Sequence, residues 1–91
     1  MYQGHHCQYT DYQLLENASQ KFLQIINRDN FVINEVEKYL STFSDFDFDL
    51  SSKIRIYLNK IDDDRSGTIN KITHLLDELK NNVLVDIREH N

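Results

Sequence analysis

The chain has no proline, only two glycines and a single cysteine in 91 residues. Strands joined by tight turns draw on glycine and proline, so their scarcity argues against a β-rich fold and for helices. With Cys7 alone, no disulfide can form within the chain. No basic segment followed by an apolar run is found at the N-terminus, so the expected setting is reducing and intracellular, cytoplasmic or cytoskeletal. No apolar run approaches the ~20 residues that cross a bilayer, which points away from a membrane. Basic residues number 10 against 15 acidic ones, a net charge of −5, and they are scattered. Phosphate binding needs clustered cations, so nucleic acid is disfavoured as a ligand and the acidic balance suits a cation or a basic partner.

What is present is enough apolar material for one core. Hydrophobic residues make up 40% of the chain, with five Phe and five Tyr, and the length suits one domain of the usual ~50–200 residues. Apolar residues recur at helical spacing in four places. Leu14, Leu15, Ala18, Phe22, Ile25 and Ile26 mark a helix from Asp11 to Ile26, with Thr10 or Asp11 placed to cap it. Val36, Tyr39, Leu40 and Phe43 mark a second after Asn34 and Glu35. Ile54, Tyr57, Leu58 and Ile61 mark a third, starting at Ser51 or Ser52, and Ile72, Leu75, Leu76 and Leu79 a fourth that runs to Asn81 or beyond. Residues 44–49 read as a linker whose phenylalanines pack down. Residues 83–87 are ambiguous between helix and strand and are assigned as helix. The expected organisation is a flexible tail over 1–10, a helical pair over 11–82 with units at 11–43 and 50–80, and a C-terminal extension over 83–91.

An internal repeat underlies the two units. Sliding the chain along itself so that Phe22 meets Leu58 also pairs Ile25 with Ile61, Ile33 with Ile69, Asn34 with Asn70, Val36 with Ile72, Leu40 with Leu76 and Phe43 with Leu79. Helical periodicity alone brings amphipathic helices into register, but it demands nothing of Ile33-Asn34 and Ile69-Asn70, which are expected to lie inside the loops. Two helix–loop–helix units are therefore expected.

Between the third and fourth helices lies Asp62-x-Asp64-x-Ser66-Gly67-x-Ile69-x-x-x-Thr73. This stretch resembles the calcium loop of the EF-hand family, Asp-x-(Asp/Asn)-x-(Asp/Asn)-Gly-x5-Glu. The resemblance implies an all-α fold, a four-helix pair of EF-hand-like helix–loop–helix units, with a short two-strand contact between the loops through Ile33 and Ile69. It further implies that Asp62, Asp64 and Ser66 supply side-chain oxygens, Thr68 its carbonyl, and Asn70 a direct or water-mediated contact. Calcium takes six to eight oxygens, and the family's last ligand is a bidentate Glu. Here that position is Thr73, or Lys71 if the loop is shortened, so the expected calcium site is weak or absent, with magnesium a lesser candidate. The first loop, with Ile26 where the second has Asp62, is expected to bind nothing.

The remaining constellations favour bland readings. His5-His6-Cys7 lacks the further ligands of a zinc site and reads as tail. No nucleophile turn or phosphate-cradling loop appears, so the chain is expected not to be an enzyme. Tyr39, Phe43, Phe46, Phe48 and Tyr57 either complete the core or line a groove for an amphipathic helix. The expectation is thus a noncatalytic binding or scaffolding module with a protein partner, calcium-responsive through residues 62–73, or else a metal-independent helical adaptor or accessory subunit.

Overall fold

A computed structural model describes residues 7–28 and 30–89. Residues 1–6, and with them His5, His6 and most of the expected tail, lie outside the described residues. The fold is all-helical: α1 spans Tyr9–Ile26, α2 Ile33–Phe46, α3 Phe48–Asn59 and α4 Arg65–Glu89. Each helix packs on two neighbours, α1 on α2 and α4, and α3 likewise on α2 and α4, which closes a ring around one core. The 42 Å length of the molecule follows from α4, whose 25 residues rise 1.5 Å each.

The helix starts have identifiable causes. Gln8 N–H donates to the Asp11 carboxylate at 2.6 Å, and Val32 N–H donates to Glu35 at 3.2 Å. In both cases an acidic third residue reaches back to the residue before its helix, satisfying an exposed donor and complementing the helix dipole. Asp11 therefore serves the start of α1 from within its first turn, two residues past the start at Tyr9.

The expected linker over 44–49 is instead a one-residue break. Ser44 and Phe46 belong to α2 and Phe48 opens α3, while Asp47 alone is extended, at φ −158° and ψ 101°. Its carboxylate accepts from Leu50 N–H at 3.1 Å, the usual way an Asp cap satisfies an orphan donor. The Asp and Phe residues that alternate here are this cap flanked by two helix ends, and of the two phenylalanines only Phe46 packs down while Phe48 is exposed. The elbow is braced from inside, where Ser51 donates to the Leu40 carbonyl at 3.1 Å and Ser44 donates to Ser51 at 3.3 Å.

The core carries the repeat. Phe22 and Leu58, Val36 and Ile72, Leu40 and Leu76, and Phe43 and Leu79 are all buried, as are Ala18 and Ile54. Phe22 and Phe43 meet edge to face with ring centroids 5.3 Å apart, an arrangement that aligns ring edge with ring face. The turns do not follow the shift so closely: α4 begins at Arg65, whereas α2 begins at Ile33, the counterpart of Ile69. No strand occurs among the described residues. Ile69 is helical and Ile33 opens α2, so their backbones are not free to pair, and the expected two-strand contact is absent there.

The end of α4 is a continuous helix through residues 83–89, with Val83 buried in the core. Cys7, placed in the expected tail, is 3% exposed, and its N–H donates to Asp86 at 2.7 Å. No helix among the described residues is long and apolar enough to cross a membrane.

Candidate functional site

The segment with the acidic run folds as a short connection followed by helix. Residues 60–63 turn, with Asp63 N–H donating to the Lys60 carbonyl at 3.0 Å. Asp62, Asp63 and Asp64 are all exposed. Asp64 ends the turn, accepting Gly67 N–H on Oδ1 at 3.1 Å and Thr68 N–H on its carbonyl at 2.9 Å. Both bonds are those of a helix N-cap.

Gly67 therefore sits in the first turn of α4. A Cβ there would come 2.9 Å from Asp64 Cγ and closer still to Oδ2. The glycine leaves room for the close approach of the capping carboxylate, which a Cβ would displace.

The six residues expected to surround an ion are thus divided between two environments. Asp62 and Asp64 are on the exposed connection, whereas Ser66, Thr68, Asn70 and Thr73 lie within α4. Carbonyls inside a helix are engaged by the N–H four residues on, which is the expected fate of the Thr68 carbonyl. Thr73 donates its hydroxyl to the Ile69 carbonyl at 2.8 Å, a bond made within the helix. Ser66 and Asn70 are exposed, while Thr68 is 8% exposed and turned into the protein. Among the described residues, no group of three or more His, Cys, Asp or Glu side chains is placed to hold a metal ion. Glu37, counterpart of Thr73 in the first unit, instead pairs with Arg55 through two bonds at 2.8 and 3.2 Å. The hydrogen bonds from Arg55 hold the Glu37 carboxyl below its usual range.

Beside the connection, Phe31, Leu58 and Ile61 floor a cleft of about 260 Å³ that Asp62 and Arg65 flank. Arg65 crosses from the start of α4 to the end of α1. Its Nη2 donates to the Ile26 carbonyl at 2.6 Å and also to the Arg28 carbonyl. Carbonyls at a helix C-terminus lack intrahelical donors and carry the negative end of the dipole, so a cation is favoured there. α1 has no basic residue in its own last turn, and Arg65 supplies one from across the molecule. Sequence spacing does not reveal this reach, because residues 26 and 65 are brought together only when the two helix ends lie side by side.

Burial, then a hydrogen bond to Asp86 and the charge of that carboxylate, push the Cys7 thiol from 9.0 up to about 11, and nucleophilic cysteines are shifted the other way. The aromatic residues separate cleanly: Phe43 and Phe46 are core, Tyr39 and Tyr57 are half-buried, and Phe48 is 69% exposed. Leu14 and Ile56, which helical spacing leaves next to core positions, are 52% and 53% exposed. No protein-family model matches the chain, no curated protein matches it, and no solved structure matches it.

Proposed function

We propose that the chain is a noncatalytic, metal-independent helical adaptor or accessory subunit that binds another protein through its outer helix faces. One observation carries the reading: large apolar side chains stand on the outside of a bundle whose core is already complete. Leu14 on α1 and Phe48 and Ile56 on α3 are more than half exposed. Phe48 and Ile56 are eight residues apart, so they share one face of α3. Apolar surface of this kind is stabilised by a partner that removes it from water.

Two further features support the adaptor form over a calcium-responsive one. α4 starts at Arg65, so Ser66 to Thr73 have helical backbone rather than that of a loop. The Arg65 guanidinium already brings a positive charge to the junction of the helix ends. A buried thiol held in its protonated form supports the noncatalytic reading.

A second reading, an EF-hand-like pair with weak calcium affinity, draws on the repeat of the core positions between the two halves. The experiment is capture of a partner on immobilised full-length chain in calcium and in EGTA, with Leu14→Asp and Ile56→Asp as separate variants. The adaptor reading expects equal retention in both buffers and loss in at least one variant whose melting temperature is unchanged. Retention only in calcium, or retention unaffected by both variants, overturns it.

A further inference from the structure

We infer that the groove between α1 and α2 is the docking site for an acidic amphipathic helix of a partner protein, an inference that rests on the adaptor reading above. Leu14, Ala18 and Lys21 share one face of α1, at the i, i+4, i+7 spacing that aligns side chains along a helix. Lys38, Tyr39 and Thr42 border them from α2, and the two faces enclose a groove of about 190 Å³. Its floor is apolar. Leu14 is 52% exposed, Tyr39 is half-buried, and Ala18, small and 7% exposed, keeps the middle low.

The charge of the groove runs against that of the molecule. The chain carries a net −5, yet the only charged side chains lining the groove are Lys21 and Lys38, and no carboxylate lines it. Lys38 Nζ stands 5.1 Å from the centroid of the Tyr39 ring, which holds the cation at the border of the apolar floor. Neither lysine belongs to an ion pair among the described residues. At physiological ionic strength, charges more than about 8 Å apart are largely screened. A carboxylate docked beside these lysines therefore responds to them first; Glu35, one turn before Lys38 on α2, is already engaged by Arg28 at 3.1 Å. Whole-chain charge pointed to a basic partner; the local field selects an acidic one.

Shape chooses the helix. From Leu14 to Lys21, α1 advances about 10 Å, two turns, so an occupant of two to three turns spans the apolar floor and sets acidic residues against both lysines. A groove between two helices accepts a rod, as in other helix-in-groove complexes. An anionic membrane is the weaker match, because lipid-binding clusters use about four to eight basic residues and this groove has two.

The test uses the full chain and a fluorescent synthetic peptide with leucines along one helical face and glutamates flanking them. Saturable binding is expected, weakened about tenfold or more by Lys21→Glu combined with Lys38→Glu, weakened by added salt, and regained by the charge-reversed variant when the peptide glutamates become lysines. Leu14→Asp, at an exposed position that spares the fold, should also abolish binding, while Ile56→Asp on α3 should leave it intact. Absence of binding, indifference to the lysine pair, equal loss in Ile56→Asp, or preferential binding to phosphatidylserine vesicles overturns the groove assignment. A partner captured independently of calcium but indifferent to the lysine pair refutes the groove alone and leaves the adaptor reading standing; capture that requires calcium refutes the adaptor reading itself.

Discussion

At the scale of single residues, Cys7 and the pair Asp64 and Gly67 carry sharp expectations. Cys7 binds its proton more tightly in the folded protein, with the thiol pushed up to about 11 from 9.0 by burial and by Asp86. A group whose pKa rises on folding contributes stability below its unfolded value and loses it as pH climbs through the folded one. The stability advantage of the wild type over Cys7→Ala, read from urea midpoints, should therefore be constant up to about pH 9 and shrink toward pH 11. The second case is the pair Asp64 and Gly67. Asp64→Ala removes an N-cap and should cost about 1 kcal/mol. Gly67→Ala gains helix propensity of about 1 kcal/mol but displaces the capping carboxylate, so alone it should change stability little. In the Asp64→Ala background nothing opposes it, and it should stabilise by the full amount. Additive effects in this cycle would show that the carboxylate does not govern the glycine.

At the scale of elements, the apolar periodicity carried most of the fold: Leu15, Phe22 and Ile26 on α1, or Ile72, Leu76 and Leu79 on α4, are core residues whose spacing reveals the buried stripe. The helix ends were less legible. Asp64-x-x-Gly67 is compatible with both a calcium loop and an N-cap with a tight first turn, because both place a carboxylate near backbone N–H groups. Which form is adopted depends on where α4 can begin, and that start is coupled to Arg65 and the end of α1, far away in sequence. Asp47 was hidden for a related reason, since one extended residue leaves almost no compositional trace. The reach of Arg65 gives a prediction at this scale. Arg65→Met keeps the length of the side chain but removes the donors to Ile26 and Arg28, and should lower stability by about 1.5–3 kcal/mol in urea unfolding, the range for hydrogen bonds to charged groups. Arg65→Lys keeps the charge but not the planar fork, and should fall between the two. If Met is tolerated without loss, the clamp contributes nothing to the junction of α1 and α4.

For the whole molecule, the expectation is that its stability does not depend on divalent ions. Titration calorimetry with calcium or magnesium at millimolar concentration should show no saturable heat, and the melting temperature should be the same in EDTA and in calcium. Thr73→Glu should leave both results unchanged, because the added carboxylate sits two turns into α4 rather than at the mouth of a loop; Thr73 already bonds to Ile69 within the helix. Saturable heat abolished by Asp62→Ala would establish a site on the connection. A variant Thr73→Glu that acquires calcium affinity would show that the start of α4 unwinds when a twelfth ligand is offered.

The hydrogen bond from Cys7 to Asp86 also has a topological consequence. It sets a residue before α1 beside one near the end of α4, while the 60–64 connection lies at the opposite pole, some 30 Å away along the axis of α4 at 1.5 Å per residue. A polypeptide that enters at Cys7 leaves beside it. Segments joined directly at Cys7 and at Glu89 would therefore start from the same pole. Such a unit can be spliced into a longer chain as a bead whose two strings meet at one hole, its insertion adding bulk to the host without adding span.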